Sequence, residues 1–244
     1  MATIVRGEHR AFGPIVNDVS GLAETRRQVG GEDVCRWKML MNGMHLEGQW
    51  NSVEYVLIEP GASVGEHVHA RTEEIYYIVS GQAVVTVDGA EIMTGAGDLI
   101  TAPIGTTHSI ANRGPEDVRF FVVEAFPRQA PPARPVRVHM PERLVDVGGL
   151  RVAELDPKPH FTGDWRRFRL VEIPAGERLE ESIAPDRSDV VHVLDGTAAL
   201  TVDGQHHQGG RGLSAAIPPG LAWSAANAAG SEVLRLIVTE LAVA

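Results

Sequence analysis

The sequence predicts an all-β protein built from two related halves in tandem. Its 244 residues contain many short runs rich in β-branched and aromatic residues, separated by Gly, Pro, Asn and Asp, with little helical periodicity. In addition, a constant offset of 115 positions relates the halves, so that Gly48, Trp50 and Gly81 correspond to Gly163, Trp165 and Gly196. Because solenoid units run to about 20 to 50 residues, this longer period indicates a duplicated domain.

Composition restricts the partners of the chain. A formal net charge of −10 argues against nucleic acids and anionic membrane surfaces as partners. The sequence has no apolar run of about 18 residues, and MATIVRGEHR lacks the apolar centre of a signal peptide. Cys35 is the one cysteine and is expected to be a small buried residue, since it has no partner for an internal disulfide. A cytoplasmic location is therefore predicted.

Four residues of the first half stand at metal-ligand spacing: His67, His69, Glu74 and His108. Alternate side chains of a strand share a face, so His67 and His69 point the same way. Imidazole suits zinc, copper, iron and nickel, and a carboxylate oxygen is accepted by iron(II) and manganese. Glu73 competes with Glu74 for the carboxylate position. Such a set leaves coordination positions open for a substrate.

Two motifs surround these residues. The first reads Gly61-x5-His67-x-His69-x4-Glu74-x6-Gly81, and the second reads Gly97-x5-Pro103-x-Gly105-x2-His108-x3-Asn112. Between them, Asp88-Gly89 suits a tight two-residue hairpin turn. Together the motifs resemble the paired signature of the cupin superfamily, and the six-residue gap to Gly81 favours Glu74 over Glu73 as the ligand. The resemblance implies two double-stranded β-helix, or jelly-roll, barrels, with one divalent transition metal per chain. Iron(II) is the leading candidate, with zinc, manganese and nickel as alternatives.

The second half keeps the turn residues but loses the ligands. Positions 67, 69, 74 and 108 correspond to Ser182, Ala184, Asp189 and Trp223. A bulky indole is expected to fill the space that a metal would need, which predicts a closed structural barrel. Asp189, Asp186 and His192 are a weak alternative ion site, since strand alternation puts His192 on the face opposite Asp189.

Four segments are predicted: an N-terminal arm (1–35), a metal-binding barrel (36–126), a proline-rich linker (127–144) and a degenerate barrel (145–244). Within the arm, VSGLAETRRQV suits a short helix capped by Ser20. In many cupins such an arm reaches a partner subunit, so the resemblance implies a homodimer.

Other residues are candidates for a role beside the metal. Tyr76 shares a strand face with Glu74 and is either a proton donor or a barrel-filling aromatic. His45 is a second catalytic candidate, although its counterpart His160 persists where the ligands are lost. Glu74 itself would serve as a base if it left the metal. The predicted wall residues of the substrate pocket are Tyr55, Leu57, Ile78 and Ile110.

The fold does not specify the reaction. The leading hypothesis is an enzyme that acts on a small organic molecule in an iron-dependent, dioxygenase-like oxidation. The alternative is a metal-dependent isomerase or cyclase without a redox step, in which the ion polarises a carbonyl and stabilises an enolate. Secondary metabolism is the suggested setting for such an enzyme. A small-ligand binding or sensor protein is a third hypothesis.

Overall fold

The computed structural model describes residues 13–128, 134–181, 183–228 and 232–243. These residues are mostly strands, and they form two barrels, each made of a seven-stranded sheet facing a four-stranded sheet. The predicted all-β fold with two tandem barrels is confirmed. In the described parts of the chain, no helix has the length and apolarity needed to cross a membrane.

Eleven described strands precede residue 126. They are β1 Ile15–Asn17, β2 Ala23–Arg26, β3 Val34–Asn42, β4 Trp50–Ile58, β5 Ser63–Val68, β6 Glu73–Ser80, β7 Gln82–Val87, β8 Ala90–Gly95, β9 Asp98–Ala102, β10 Thr107–Ala111 and β11 Val118–Ala125. Eleven more follow. They are β12 Arg137–His139, β13 Val145–Val147, β14 Leu150–Leu155, β15 Trp165–Pro174, β16 Arg178–Glu181, β17 Arg187–Asp195, β18 Ala198–Val202, β19 Gln205–Gly209, β20 Ser214–Ile217, β21 Trp223–Asn227 and β22 Val233–Ala242. Three described 3₁₀ helices connect them: Gln28–Gly30, Gly43–His45 and Met140–Arg143.

The sheets of the two barrels have matching strand orders. In the first barrel they run β12-β9-β6-β11-β4-β3-β2 and β5-β10-β7-β8. In the second they run β1-β20-β17-β22-β15-β14-β13 and β16-β21-β18-β19. Each four-stranded sheet contains a two-residue hairpin, at Asp88-Gly89 and at Asp203-Gly204, where all four φ angles are positive. Positive φ at both turn residues matches strand twist and favours Asp-Gly, as predicted.

The segments that precede the barrels contribute strands to the opposite barrel. β1, in the predicted arm, pairs antiparallel with β20 of the second barrel. β12, in the predicted linker, pairs antiparallel with β9 of the first barrel. Residues 1–12 of the arm and 129–133 of the linker lie outside the described residues. Arm and linker are therefore partly built into the sheets, and each crosses from one barrel to the other.

The helix predicted in VSGLAETRRQV is wrong. Ala23–Arg26 is the edge strand β2, which pairs with β3, and only Gln28–Gly30 is helical, as a single 3₁₀ turn. Ser20 does not cap a helix. Its backbone N–H donates a hydrogen bond to the Asp18 carboxylate at 2.7 Å. Hydrogen bonds to an exposed sheet edge outweigh the weak helix propensity of so short a segment.

A shared apolar core joins the barrels. On β6, Ile75 and Tyr77 face this core, and on β15 so do Phe168 and Leu170. The tyrosine and phenylalanine rings lie 6.1 Å apart. Because strand side chains alternate, Tyr76 and Ile78 face the interior of the first barrel instead. One face of β6 is therefore buried in the core between the barrels, and the other is buried inside the first barrel. Cys35 is also fully buried in the first barrel, as predicted.

Candidate metal centre

Three strands bring the four predicted ligands to one place. His67 on β5 lies directly opposite His108 on β10, and Glu74 lies on β6 on the inner face. His69 follows β5 and is held by the exchange of backbone hydrogen bonds with Thr106 and Gly105. The spacing within the two motifs thus becomes spatial proximity, because β5 and β10 are neighbours in one sheet and β6 faces them from the other.

Distances within the cluster are short. His69 Nε2 lies 3.2 Å from His67 Nε2 and 3.3 Å from Glu74 Oε2. His108 Nε2 lies 3.2 Å from the same carboxylate oxygen. Groups of His67, His69 and His108, and of His69, Glu74 and Glu124, each have ligand atoms within 4.8 Å of one another. Ligand atoms at these separations are close enough to share one ion.

Hydrogen bonds on the outer ring nitrogens orient two of the imidazoles. His67 Nδ1 donates to the Gly65 carbonyl at 2.9 Å, which leaves Nε2 as the lone-pair nitrogen that faces the cluster. His69 Nδ1 contacts Thr72 Oγ1 at 2.9 Å, and the Thr72 hydroxyl also bonds the Glu124 carboxylate. Histidines that bind a metal usually donate a hydrogen bond from the ring nitrogen that does not face the metal.

The donor set fits a divalent transition metal. Burial lowers the pKa of His67 and of His69, and it lowers the pKa of His108 to about 4, so the three rings are neutral near pH 7. Burial also raises the pKa of Glu74 well above its usual value. Glu74 Oε2 receives no hydrogen bond from any described residue. Lone pairs of neutral imidazoles and a carboxylate repel one another when they converge, and a shared cation removes that repulsion.

Tyr76 contacts two members of the cluster. Its hydroxyl lies 2.7 Å from His108 Nε2 and bonds the Glu74 carboxylate, and the ring packs on Phe120. Burial raises the pKa of Tyr76 well above its usual value, so the phenol stays protonated. The residue fills the barrel and also presents an O–H group to the cluster, so both predicted roles have a structural basis.

Two further carboxyl groups, which the sequence analysis missed, line the same cavity. Glu54 on β4 accepts hydrogen bonds from Trp37 Nε1 at 2.6 Å and Ser52 Oγ at 2.8 Å. Glu124 on β11 accepts from Asn51 Nδ2 at 2.6 Å. Burial raises the pKa of both carboxyls. A lone acidic residue within a largely apolar strand is the signal that would have found each of them.

The cavity beside the cluster has a volume of about 210 Å³ and acidic and apolar walls. Its apolar lining includes Val56, Val64 and Phe120, and its rim includes Gln28 and Val29 from the N-terminal arm. Among the described lining residues there is no lysine or arginine. The cavity therefore suits a small molecule better than a macromolecule.

None of the four predicted wall residues lines the cavity, and two of them face away from the barrel interior. Tyr55 packs in the core between the barrels, with its ring 5.7 Å from that of His192. Leu57 is two residues further along β4, so its side chain points to the same face as Tyr55. The β4 residues that face the cavity are Glu54 and Val56, one position away, so the prediction chose the wrong face of the strand. Ile78 and Ile110 do face the barrel interior, where they are buried, but they do not line the cavity.

His45 also lies away from the cavity. It ends the 3₁₀ helix Gly43–His45 and lines a narrow pocket between the barrels, beside Trp50 and Ser188. The catalytic role predicted for His45 is therefore not supported by its position. Glu73, the competitor of Glu74, faces the second barrel, where it accepts hydrogen bonds from Thr162, Gly163 and Trp165. Of the two adjacent glutamates, Glu74 is therefore the one whose side chain lies in the cluster.

In the second barrel, the corresponding place is filled by protein. Trp223 is buried, and its Nε1 donates to Asp189 at 2.7 Å. Arg187 pairs with Asp189 at 3.0 Å, and Ser182 lies outside the described residues. His192 points to the opposite face, as predicted, where it stacks on Phe121 with centroids 4.4 Å apart. The indole thus bonds one Asp189 oxygen, and the guanidinium puts a positive charge 3.0 Å from the other, which receives no hydrogen bond from the described residues.

Comparisons with known proteins agree with this architecture. The oxalate-binding protein of Thermotoga maritima is 41% identical over 66 residues, which are 27% of this chain and 54% of that protein. The tetracenomycin polyketide synthase protein TcmJ of Streptomyces glaucescens is 28% identical over 112 residues, 45% of this chain and 72% of that protein. The chain thus matches about half the length of the first relative.

A solved structure shares the whole fold. The YlbA protein from E. coli superimposes with a TM-score of 0.75 at 13% identity, over 96% of this chain and 93% of that one. The family model for the cupin domain matches residues 54–124 and 169–240, which together are more than half of the chain and cover both barrels. The chain belongs to the cupin family, as a protein with two cupin domains.

Proposed function

We propose that the first barrel holds one divalent transition metal through His67, His69, Glu74 and His108, and that the protein is an enzyme. Its proposed reaction is a proton transfer on a small, uncharged carbonyl or phenolic compound, as in an isomerase or cyclase. The observation that carries the proposal is the pair of carboxyl groups, Glu54 and Glu124, in the wall of the same cavity.

A metal bound to three neutral imidazoles and one carboxylate keeps net positive charge and acts as a Lewis acid on a carbonyl oxygen. The other requirements are met by the chain itself. Glu54 and Glu124 lie on the neighbouring strands β4 and β11, and their inward side chains are diagonal neighbours in the sheet. Burial and the neighbouring Glu124 both raise the pKa of Glu54, and burial raises that of Glu124, so one carboxyl is able to give a proton while the other takes one.

Hydrogen bonds hold each carboxyl in place for this work. Trp37 and Ser52 orient Glu54, while Asn51 and Thr72 orient Glu124. Glu74 differs, because its Oε2 receives no hydrogen bond from the described residues and is left for a metal. The roles of the three carboxyls therefore separate into one ligand and two groups that handle protons.

The wall chemistry also indicates the class of substrate. With three carboxyls and no lysine or arginine among the described lining residues, the cavity offers a dianion no cationic side chain besides the proposed metal. Among the relatives, the oxalate-binding protein is named for a dicarboxylate and TcmJ for polyketide synthesis. The absence of a basic side chain in the described walls favours the uncharged, polyketide-like substrate.

Solvent deuterium exchange tests the proposal. The protein loaded with Zn²⁺, which is redox-inert, is incubated in D₂O under argon with a β-diketone such as acetylacetone or 1,3-cyclohexanedione, and exchange at the central carbon is followed by NMR. We expect exchange faster than that with free Zn²⁺, and about 10²-fold to 10⁴-fold slower exchange with Glu54→Gln, the usual range for a lost acid–base group. Asp117→Asn, a change at a half-buried carboxyl outside the cavity, is the matched control.

The same samples separate this reaction from the dioxygenase-like oxidation predicted from the sequence. Turnover that needs both air and iron, with no exchange under argon, would refute the proton-transfer proposal and favour the oxidation. Oxalate as a competitor should bind weakly, and tight oxalate binding would contradict the proposed substrate class. The native metal, the homodimer and the cytoplasmic location stay predictions.

A further inference from the structure

Glu73, the residue before the proposed ligand Glu74, connects the metal-binding strand to the second barrel. Its side chain is buried, with 1% exposed. One carboxylate oxygen accepts from Thr162 N at 2.7 Å and Thr162 Oγ1 at 2.9 Å. The other accepts from Gly163 N at 2.9 Å and Trp165 Nε1 at 3.1 Å. All four donors belong to the segment that leads into β15 of the second barrel.

The fit of this contact is close. A Cβ on Gly163 would lie 2.9 Å from Glu73 Oε2 and 2.9 Å from the Phe126 carbonyl oxygen, so glycine permits the approach. A carboxylate with backbone amide and indole donors forms charge-assisted hydrogen bonds, which are shorter and stronger than neutral ones. The beginning of β6 is therefore held from the side of the second barrel.

A pseudo-symmetric contact exists on the other side of the interface. Ser188 occupies the position of Glu73 in the second barrel, directly before Asp189. Trp50, the counterpart of Trp165, donates through Nε1 to Ser188 Oγ at 2.7 Å. Both tryptophans are 2% exposed. The two contacts differ in strength, because the carboxylate is on the strand that carries the metal ligand and the neutral hydroxyl is on the strand that has lost it.

Holding Glu73 constrains Glu74 through the backbone. Adjacent residues of a strand point to opposite faces, so a fixed Glu73 side chain fixes the rotation of β6 that aims Glu74 inwards. The Glu74 carboxylate also contacts Tyr76, His69 and His108, although its Oε2 receives no hydrogen bond from the described residues. The rotation of β6 adds a backbone restraint to those that these neighbours provide.

We propose that Glu73 is a positioning residue, through which the second barrel sets the geometry of Glu74 at the metal centre. The inference rests on the proposed metal site and gives the second barrel a part in it. Partners outside the coordination sphere commonly change metal affinity by about 10-fold to 100-fold when they are removed.

Cobalt binding tests this inference. Co²⁺ is added to the metal-free full chain, its d–d absorption spectrum is recorded, and its affinity is measured by competition with a chelator. We expect Glu73→Gln to change the band positions or intensities and to weaken Co²⁺ about 10-fold to 100-fold. Trp165→Phe keeps every charge and removes one donor, and it should change the spectrum in the same direction by a smaller amount.

The matched control is Trp50→Phe, which removes the corresponding bond in an equally buried place but on the side of Asp189. It should lower the unfolding midpoint, by no more than Trp165→Phe does, and leave the cobalt spectrum and affinity unchanged. Equal spectral effects of the two tryptophan variants, or a Glu73→Gln protein that is less stable but has the wild-type spectrum, would overturn the inference.

Failure of the metal site itself gives a different result. A wild-type protein that binds no Co²⁺, or whose Co²⁺ binding survives His67→Ala and His108→Ala, removes the proposed centre. A wild-type protein that binds one Co²⁺ through these histidines, with no effect of Glu73→Gln or Trp165→Phe on the spectrum, refutes only the role of Glu73. If Glu73→Gln does not fold, Trp165→Phe compared with Trp50→Phe still decides the question.

Discussion

Replacing Phe168 with alanine should destabilise both barrels, although the residue belongs to the second. Phe168 on β15 is fully buried in the core that the barrels share. Its ring lies 6.1 Å from that of Tyr77 on β6, the strand that carries the proposed ligand Glu74. A cavity at this place removes packing from both sides, so the two barrels should lose stability together.

The size of the effect follows from burial. A fully buried Phe→Ala substitution costs about 3 to 5 kcal/mol, because the lost transfer free energy is joined by the cost of the cavity. The urea dependence of unfolding is typically about 1 to 3 kcal/mol per M and increases with protein size. We therefore expect the urea midpoint to fall by roughly 1 to 2 M in the metal-free protein.

The assay must report on each barrel separately. Pulsed hydrogen exchange at increasing urea, read by mass spectrometry, gives unfolding midpoints for peptides from β6 and from β17, a central strand of each barrel. The wild-type peptides should share one midpoint, and Phe168→Ala should lower both equally. Val147→Ala, at a position 55% exposed, should shift neither. A β6 midpoint that stays in place while the β17 midpoint falls would refute the idea of one cooperative core.

Three further predictions concern single positions. Burial lowers the pKa of His192 to about 3, whereas an unfolded histidine titrates near 6.5, so stability falls as pH drops from 6.5 towards 3. In His192→Leu, the decrease in the free energy of unfolding between pH 7 and pH 4.5 should be smaller by a few kcal/mol, as measured by urea unfolding at the two pH values. Val29 has a φ of 51°, which is strained for a β-branched residue, and it is 53% exposed. Val29→Gly should therefore raise the free energy of unfolding by about 0.5 to 1 kcal/mol. Trp223→His should leave the metal content at no more than one ion per chain by elemental analysis, because Arg187 already pairs with Asp189.

A different result would contradict each of these three predictions. An equal slope of stability against pH with and without His192 would show that other groups cause the acid loss. A less stable Val29→Gly protein would mean that contacts of this side chain outweigh the backbone strain. A second bound ion in Trp223→His would show that the second barrel keeps a usable ligand set despite Ala184.

The features that the sequence determined depend on adjacent residues or on fixed spacings along the chain. Turn chemistry at Asp88-Gly89 depends on two adjacent residues, and the period of a strand puts His67 and His69 on one face whatever lies around them. The offset of 115 positions reveals the duplication without any structure, and it shows that Trp223 stands where His108 does. These signals are carried by spacing, so one sequence was enough for the fold class and for the candidate ligands.

Tertiary structure decided which face of each strand is in which environment. β4 and β6 are buried on both faces, so hydrophobicity alone does not distinguish the cavity from the core between the barrels. For this reason Tyr55 and Leu57 were placed on the wrong side, and Glu54 was missed. Pairing between distant segments, such as β1 with β20, and the contacts of Glu73 with residues 162–165 likewise leave no local pattern. They depend on how the barrels pack, which is a property of the whole chain.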